Sequence, residues 1–155
     1  MRNSTASLKA NSHLVHSGDQ MYKGSCLCGS IQFKLNDRIS ETIYCHCSRC
    51  RKASGSAYAT NGFVNKSELQ ITDAEGTLKY FESSEGKRKY FCSTCGAPIY
   101  SSNSAKPDKL RIRLGAIDCD IVERPISHNF ITSKANWEEL GVNLPMYEEH
   151  EPSRK

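Results

Sequence analysis

Apolar and polar side chains alternate in several short stretches of this chain. Ile31, Phe33 and Leu35 are separated by Gln32 and Lys34, and a period of two predicts a half-buried strand. The same period returns at Leu110, Ile112 and Leu114, which predicts a second strand with Arg111 and Arg113 on its solvated face. Thr77 to Phe81 and Lys87 to Phe91 flank a polar stretch, Ser83 to Gly86, and read as a hairpin. Ile43-Tyr44 and residues 126–131 supply shorter strands. Helical signals are sparse: one turn over Arg49 to Ala53, and a short helix from Ser133 to Leu140 with Ser133 as its cap, Trp137 facing inward and Gly141 as its stop. Strands outnumber helices, so the expected class is mainly β, with one or two short helices.

The ends differ from the middle. Residues 1–20 are rich in Ser, Asn and Lys and read as a flexible tail, and 148–155 is charged and reads as a frayed end. Between them 21–147 forms one domain. A chain of 155 residues with 37% apolar residues and a mean hydropathy of -0.58 has a modest core that cross-linking by metal would strengthen. No apolar run reaches the length of a membrane span, and Arg2 and Lys9 are followed by no apolar segment of a secretory signal, so the expected location is the cytoplasm. The net charge of +4 suits an anionic small ligand or weak attraction to nucleic acid, and without a long basic run it selects neither.

In a reducing compartment clustered cysteines point to metal or catalysis rather than to disulfides. Seven of the eight fall in three groups: Cys26 and Cys28 between Gly24 and Gly29; Cys45, Cys47 and Cys50 within six residues; and Cys92 and Cys95 before Gly96. Thiolates suit zinc, and four-coordinate zinc implies one closed site of four cysteines and one open site of three, so two ions per chain. Spacing leaves the partition open. Cys26 and Cys28 could join Cys92 and Cys95, or they could join Cys45 and Cys47. The first choice closes a loop of about 64 residues at a cost of about 4 kcal/mol, less than the roughly 10 to 16 kcal/mol structural zinc contributes in peptides. It is favoured because Cys45, Cys47 and Cys50 can chelate from one loop. Cys119 reads as a buried core cysteine. His46 has ligands on both sides, so alternation turns it away from the metal, and His128 reads as a structural histidine on the last strand. Tyr58 reads as core, and the tail histidines His13 and His16 as solvated.

The order of motifs resembles the glutathione-dependent formaldehyde-activating enzymes, a domain shared with centromere protein V. The matching stretches are Gly24-Ser25-Cys26-Leu27-Cys28-Gly29-Ser30-Ile31, Cys45-His46-Cys47-Ser48-Arg49-Cys50-Arg51-Lys52 with Gly55, and Phe91-Cys92-Ser93-Thr94-Cys95-Gly96. Weaker echoes run from Leu114 to Asp118, at Pro125 and His128, and from Lys134 to Trp137, where Asn136 replaces the family's usual proline. The resemblance implies a β-tent fold of small antiparallel sheets pinned by zinc. It implies Cys26, Cys28, Cys92 and Cys95 as ligands of a structural zinc, and Cys45, Cys47 and Cys50 as catalytic residues holding a second. The implied activity is that of a carbon–sulfur lyase acting on a thiol–aldehyde adduct such as S-hydroxymethylglutathione. Glutathione's carboxylates make Arg49, Arg51, Lys52 and Lys134 candidate anchors through charge-assisted hydrogen bonds.

Two rival readings remain in view. The first is a non-catalytic zinc module binding protein or nucleic acid, supported by Lys87, Arg88, Lys89, Arg111 and Arg113 interleaved with Tyr80, Tyr90 and Tyr100. These cations also read as an ordinary exposed face, which weighs against nucleic acid. The second is a redox enzyme similar to B-type methionine sulfoxide reductases, for which only Cys119 is uncommitted.

Overall fold

A computed structural model of the chain describes residues 22–140 and 144–154. The expected tail at 1–20, with His13 and His16, and the stop at Gly141 lie outside the described residues. In chain order the strands are β1 (Tyr22–Ser25), β2 (Gln32–Leu35), β3 (Glu41–Cys45), β4 (Ala59–Asn65), β5 (Leu69–Thr72), β6 (Leu78–Ser84), β7 (Lys87–Cys92), β8 (Pro98–Asn103), β9 (Lys109–Arg113), β10 (His128–Asn129) and β11 (Met146–Tyr147), with a single α-helix among the described residues, α1 (Ser48–Ser54), between β3 and β4. A small sheet runs β1-β2-β5 and a large one runs β11-β10-β3-β4-β9-β8-β7-β6. Neighbouring strands are antiparallel except at β10, which runs parallel to both β3 and β11.

The predicted alternation is what joins the two sheets. Phe33 and Leu35 are buried while Gln32 and Lys34 are exposed, and they meet Val64, Leu110 and Ile112 of the large sheet in one core. Burying such side chains contributes about 1.5 to 3 kcal/mol each. β1 fits against β2 only because Gly24 has no side chain. A Cβ there would stand 2.0 Å from Phe33 Cζ and 2.2 Å from the Ala116 carbonyl oxygen. The predicted hairpin is β6–β7, with Tyr80 opposite Tyr90.

Four local expectations are corrected. Arg113 is 5% exposed rather than solvated, because α1 lies over the sheet face that carries it, and Ala53, Phe91 and Tyr100 share a cavity wall with it. The helix from Ser133 to Leu140 does not form: Ser133 ends a 3₁₀ turn, Ile131–Ser133, and Lys134 is extended (ψ 142). Lys134 Nζ donates to the carbonyls of Ala135 and Glu138, which holds the turn open, and Trp137 is 67% exposed. Cys119 is exposed, not buried, with its Sγ 3.8 Å from the Lys23 carbonyl oxygen. Finally, within the charged end at 148–155 the Glu149 carbonyl accepts from the Phe130 amide, and the buried Glu151 accepts from Asn129 Nδ2.

Candidate metal centre

Two of the Cys-containing turns are built the same way. The amide of Gly29 donates to the Cys26 carbonyl at 3.0 Å and that of Gly96 to the Cys92 carbonyl at 2.8 Å. Both glycines have positive φ, 82° and 76°, a conformation other residues adopt only with strain. The first turn joins β1 to β2 and the second joins β7 to β8, and the core brings them together. The sulfurs of Cys26, Cys28, Cys92 and Cys95 all lie within 4.8 Å of one another. Cys26 to Cys28 is 3.5 Å and Cys28 to Cys92 is 3.7 Å. Tetrahedral coordination with metal–sulfur bonds of about 2.3 Å sets ligand sulfurs about 3.8 Å apart, so this set fits a closed metal site.

The thiols of the cluster are shifted in opposite directions. Burial pushes the Cys26 thiol up. Burial also pushes Cys92 up, but the amides of Cys95 and Thr94 and the neighbouring thiols outweigh it and leave the group at about 6. Hydrogen bonding with the Ser30 side chain and backbone lowers Cys28.

The second cluster is assembled where β3 passes into α1. Cys45 ends the strand, Cys47 is the residue capping the helix, and Cys50 lies in the first turn. The Cys50 amide donates to Cys47 Sγ at 3.3 Å, which fixes the bend that turns three sulfurs together. They lie within 4.8 Å of one another, and among the described residues no His, Cys, Asp or Glu donor joins them. As thiols the three share protons. Donation from Cys45 and Cys50 holds Cys47 far below the usual thiol range, while Cys45, donating to Cys47 and Cys50 and buried besides, is pushed far up. The donor set fits a soft divalent metal with one position left over.

Around the trio the protein is cationic. A cleft of about 350 Å³ opens above it, with Arg49, Lys87, Arg88, Lys89 and Arg111 among its walls and Phe130 and His150 closing one side. Lys89 Nζ is 3.9 Å from Cys50 Sγ. Beneath it, Arg113 donates to Asn61 Oδ1. Burial lowers the Arg113 pKa, while the negative charge of Cys50, Cys45 and Cys47 opposes that shift. Its Nε has no protein partner, and Arg113 also lines a larger cavity of about 750 Å³ shared with Tyr58 and Thr60.

Of the sequence-predicted anchors only Arg49 lines the cleft. Arg51 Nε donates to the His46 carbonyl at 3.3 Å, Lys52 is exposed on α1, and Lys134 is spent on its own turn. His46 does turn away from the metal position. It is fully buried, with Nε2 2.8 Å from Nδ1 of His128, and Tyr58 and Tyr44 enclose the pair with ring centroids 5.0 and 5.1 Å away. Burial, then the charges of His128, Lys134 and Arg51, lower His46 to about 4. Burial lowers His128 as well. The cations of β7 and β9 were visible in the sequence as an alternating basic face, but not as the walls and floor of a thiol site.

The sequence profile of the glutathione-dependent formaldehyde-activating enzymes matches residues 21–133. The chain belongs to this family. A Penicillium rubens protein provisionally named as such an enzyme is 27% identical over 77 residues, covering 48% of this chain and 40% of its own length. One from Emericella nidulans, named in the same provisional way, is 28% identical over 85 residues, covering 54% and 42%. The chain thus spans less than half the length of these curated relatives. A solved Rhodobacter sphaeroides protein shares the fold, with a TM-score of 0.54 at 20% identity over 64% of this chain and 91% of that one.

Proposed function

We propose that this chain is a zinc-dependent carbon–sulfur lyase that makes or breaks a thiol–aldehyde adduct such as S-hydroxymethylglutathione. The observation that carries this reading is the separation of the thiols: four sulfurs are grouped as one ion would require, and three others open onto a cationic cleft. Cys45, Cys47 and Cys50 would hold the zinc, which would supply an open position for a substrate thiolate. The residues around it do the rest. Arg49, Lys87 and Arg111 receive the anionic groups of the thiol through charge-assisted hydrogen bonds. Lys89 and Arg113 flank the sulfurs and offset their negative charge. In the cleavage direction the carbon–sulfur bond breaks with its electron pair staying on sulfur. The hydroxyl proton passes to water in the open cleft as the carbonyl forms. The trio must stay reduced, which suits a cytoplasmic protein; among the described residues no helix is long and apolar enough to cross a membrane.

The test is zinc content on anaerobically purified protein together with cleavage of S-hydroxymethylglutathione. The expected result is two zinc ions in the wild type, one in Cys47→Ser, and cleavage only in the former. One zinc in both proteins and no cleavage in either would overturn the reading in favour of a non-catalytic zinc module.

A further inference from the structure

The charge in the cleft over Cys45, Cys47 and Cys50 exceeds what glutathione offers. Five cations line it, and among the described residues no Asp or Glu does. Three of the five already have a partner, Arg111 among them, which lies 5.3 Å over the Phe63 ring. Arg88 pairs with Glu82 at 3.2 Å and lies 4.4 Å over the Tyr80 ring, and Lys89 sits 3.9 Å from Cys50 Sγ. Among the described residues Arg49, Lys87 and Arg111 make no ion pair. The other walls include Ser48, Ser101, Ser102 and Asn103, which offer hydrogen bonds, and Phe130, which is apolar. Glutathione brings an ammonium beside one of its carboxylates. No described carboxylate in this cleft would receive it, and three cations would repel it.

We propose that the thiol handled here is a polyanion without an ammonium group, a thiol carrying a phosphate monoester. A phosphate has about two negative charges at neutral pH and several acceptor oxygens, and the paired demand of guanidinium, ammonium and hydroxyl donors around it is what Arg49, Lys87, Arg111 and the serines supply. The proposal rests on the reading of the trio as a thiol-binding site and narrows its substrate class.

The experiment uses full-length protein loaded with cobalt, whose absorption reports a new sulfur ligand without any aldehyde present. Titration compares 2-mercaptoethyl phosphate, 2-mercaptoethanol and glutathione. The phosphorylated thiol should bind about tenfold tighter than either of the others, as one well-placed charge-assisted contact predicts. Lys87→Ala and Arg111→Ala should remove that advantage and leave 2-mercaptoethanol unchanged. Lys34→Ala, an exposed cation on β2, should keep it. Glutathione binding as tightly as the phosphorylated thiol, or an equal loss in Lys34→Ala, would overturn the proposal. The lyase reading fails separately. Thiol binding without any carbon–sulfur cleavage would end that reading while leaving this preference in place, and cleavage with glutathione preferred would do the reverse.

Discussion

Arg113 is the residue whose meaning changed most between sequence and fold. On β9 it alternates with Leu110 and Ile112 and reads as a surface cation, yet it is buried against Asn61 and under the electrostatic influence of all three sulfurs of the trio. A period of two tells which residues share a face and is silent on what covers that face. If Arg113 holds the trio's charge, Arg113→Ala should weaken metal binding at that cluster by about tenfold or more, as loss of a residue supporting a ligand does. Arg113→Lys should restore part of it, and chelator competition measures both. The His46–His128 pair carries a second expectation. Both groups have folded pKa values below those of the unfolded chain, so between the two values the unfolded state binds more protons and stability rises with pH. The contribution of His46 is complete above about 6.5 and is lost as pH falls toward about 4, and that of His128 is lost in the same direction. Lys134 and Arg51 add to the shift at His46, and Glu138 opposes it at His128. His128→Phe should flatten denaturant stability across that window relative to wild type, with metal content followed at each pH to separate loss of the ion. Equal slopes would mean that the pair binds the same number of protons in the folded and unfolded states.

Among the elements, the strands were the legible part. β2, β6, β7 and β9 follow from alternation and turn residues, and the helical turn at Arg49 to Ala53 became α1, one residue longer at each end. The helix from Ser133 was misread because capping by a serine is a local preference, and Phe130 in the left-handed region at φ 60 followed by an extended Lys134 leaves the chain no room to propagate helical hydrogen bonds. The β1–β2 pair offers a sharp test. Gly24 lies opposite Phe33 with no space for a methyl group, so Gly24→Ala should cost about 3 kcal/mol or prevent folding, since overpacking a tight core forces backbone shifts. Gly76→Ala, where a Cβ meets nothing within 4 Å but φ is 64°, should cost only the local backbone strain, about 1 kcal/mol. Denaturant midpoints distinguish the two.

For the molecule as a whole, the four-thiol cluster links turns distant in sequence, and the trio is local to one bend. Their losses should differ accordingly. Cys92→Ser should lose one metal ion and much of its thermal stability, because the ion's binding free energy is part of folding. Cys50→Ser should lose the other ion and stay folded. Metal content with thermal denaturation checks both, and equal destabilisation would show that the trio also holds the fold. The sequence by itself determined the class of the fold, the three cysteine turns and the grouping of Cys45, Cys47 and Cys50, since each depends on residues a few positions apart. Only the tertiary structure decided that Cys26 and Cys28 meet Cys92 and Cys95, that His46 meets His128, and that the basic face of β7 and β9 surrounds the trio. Those contacts join residues tens of positions apart, and which of them form depends on how two sheets close over a common core.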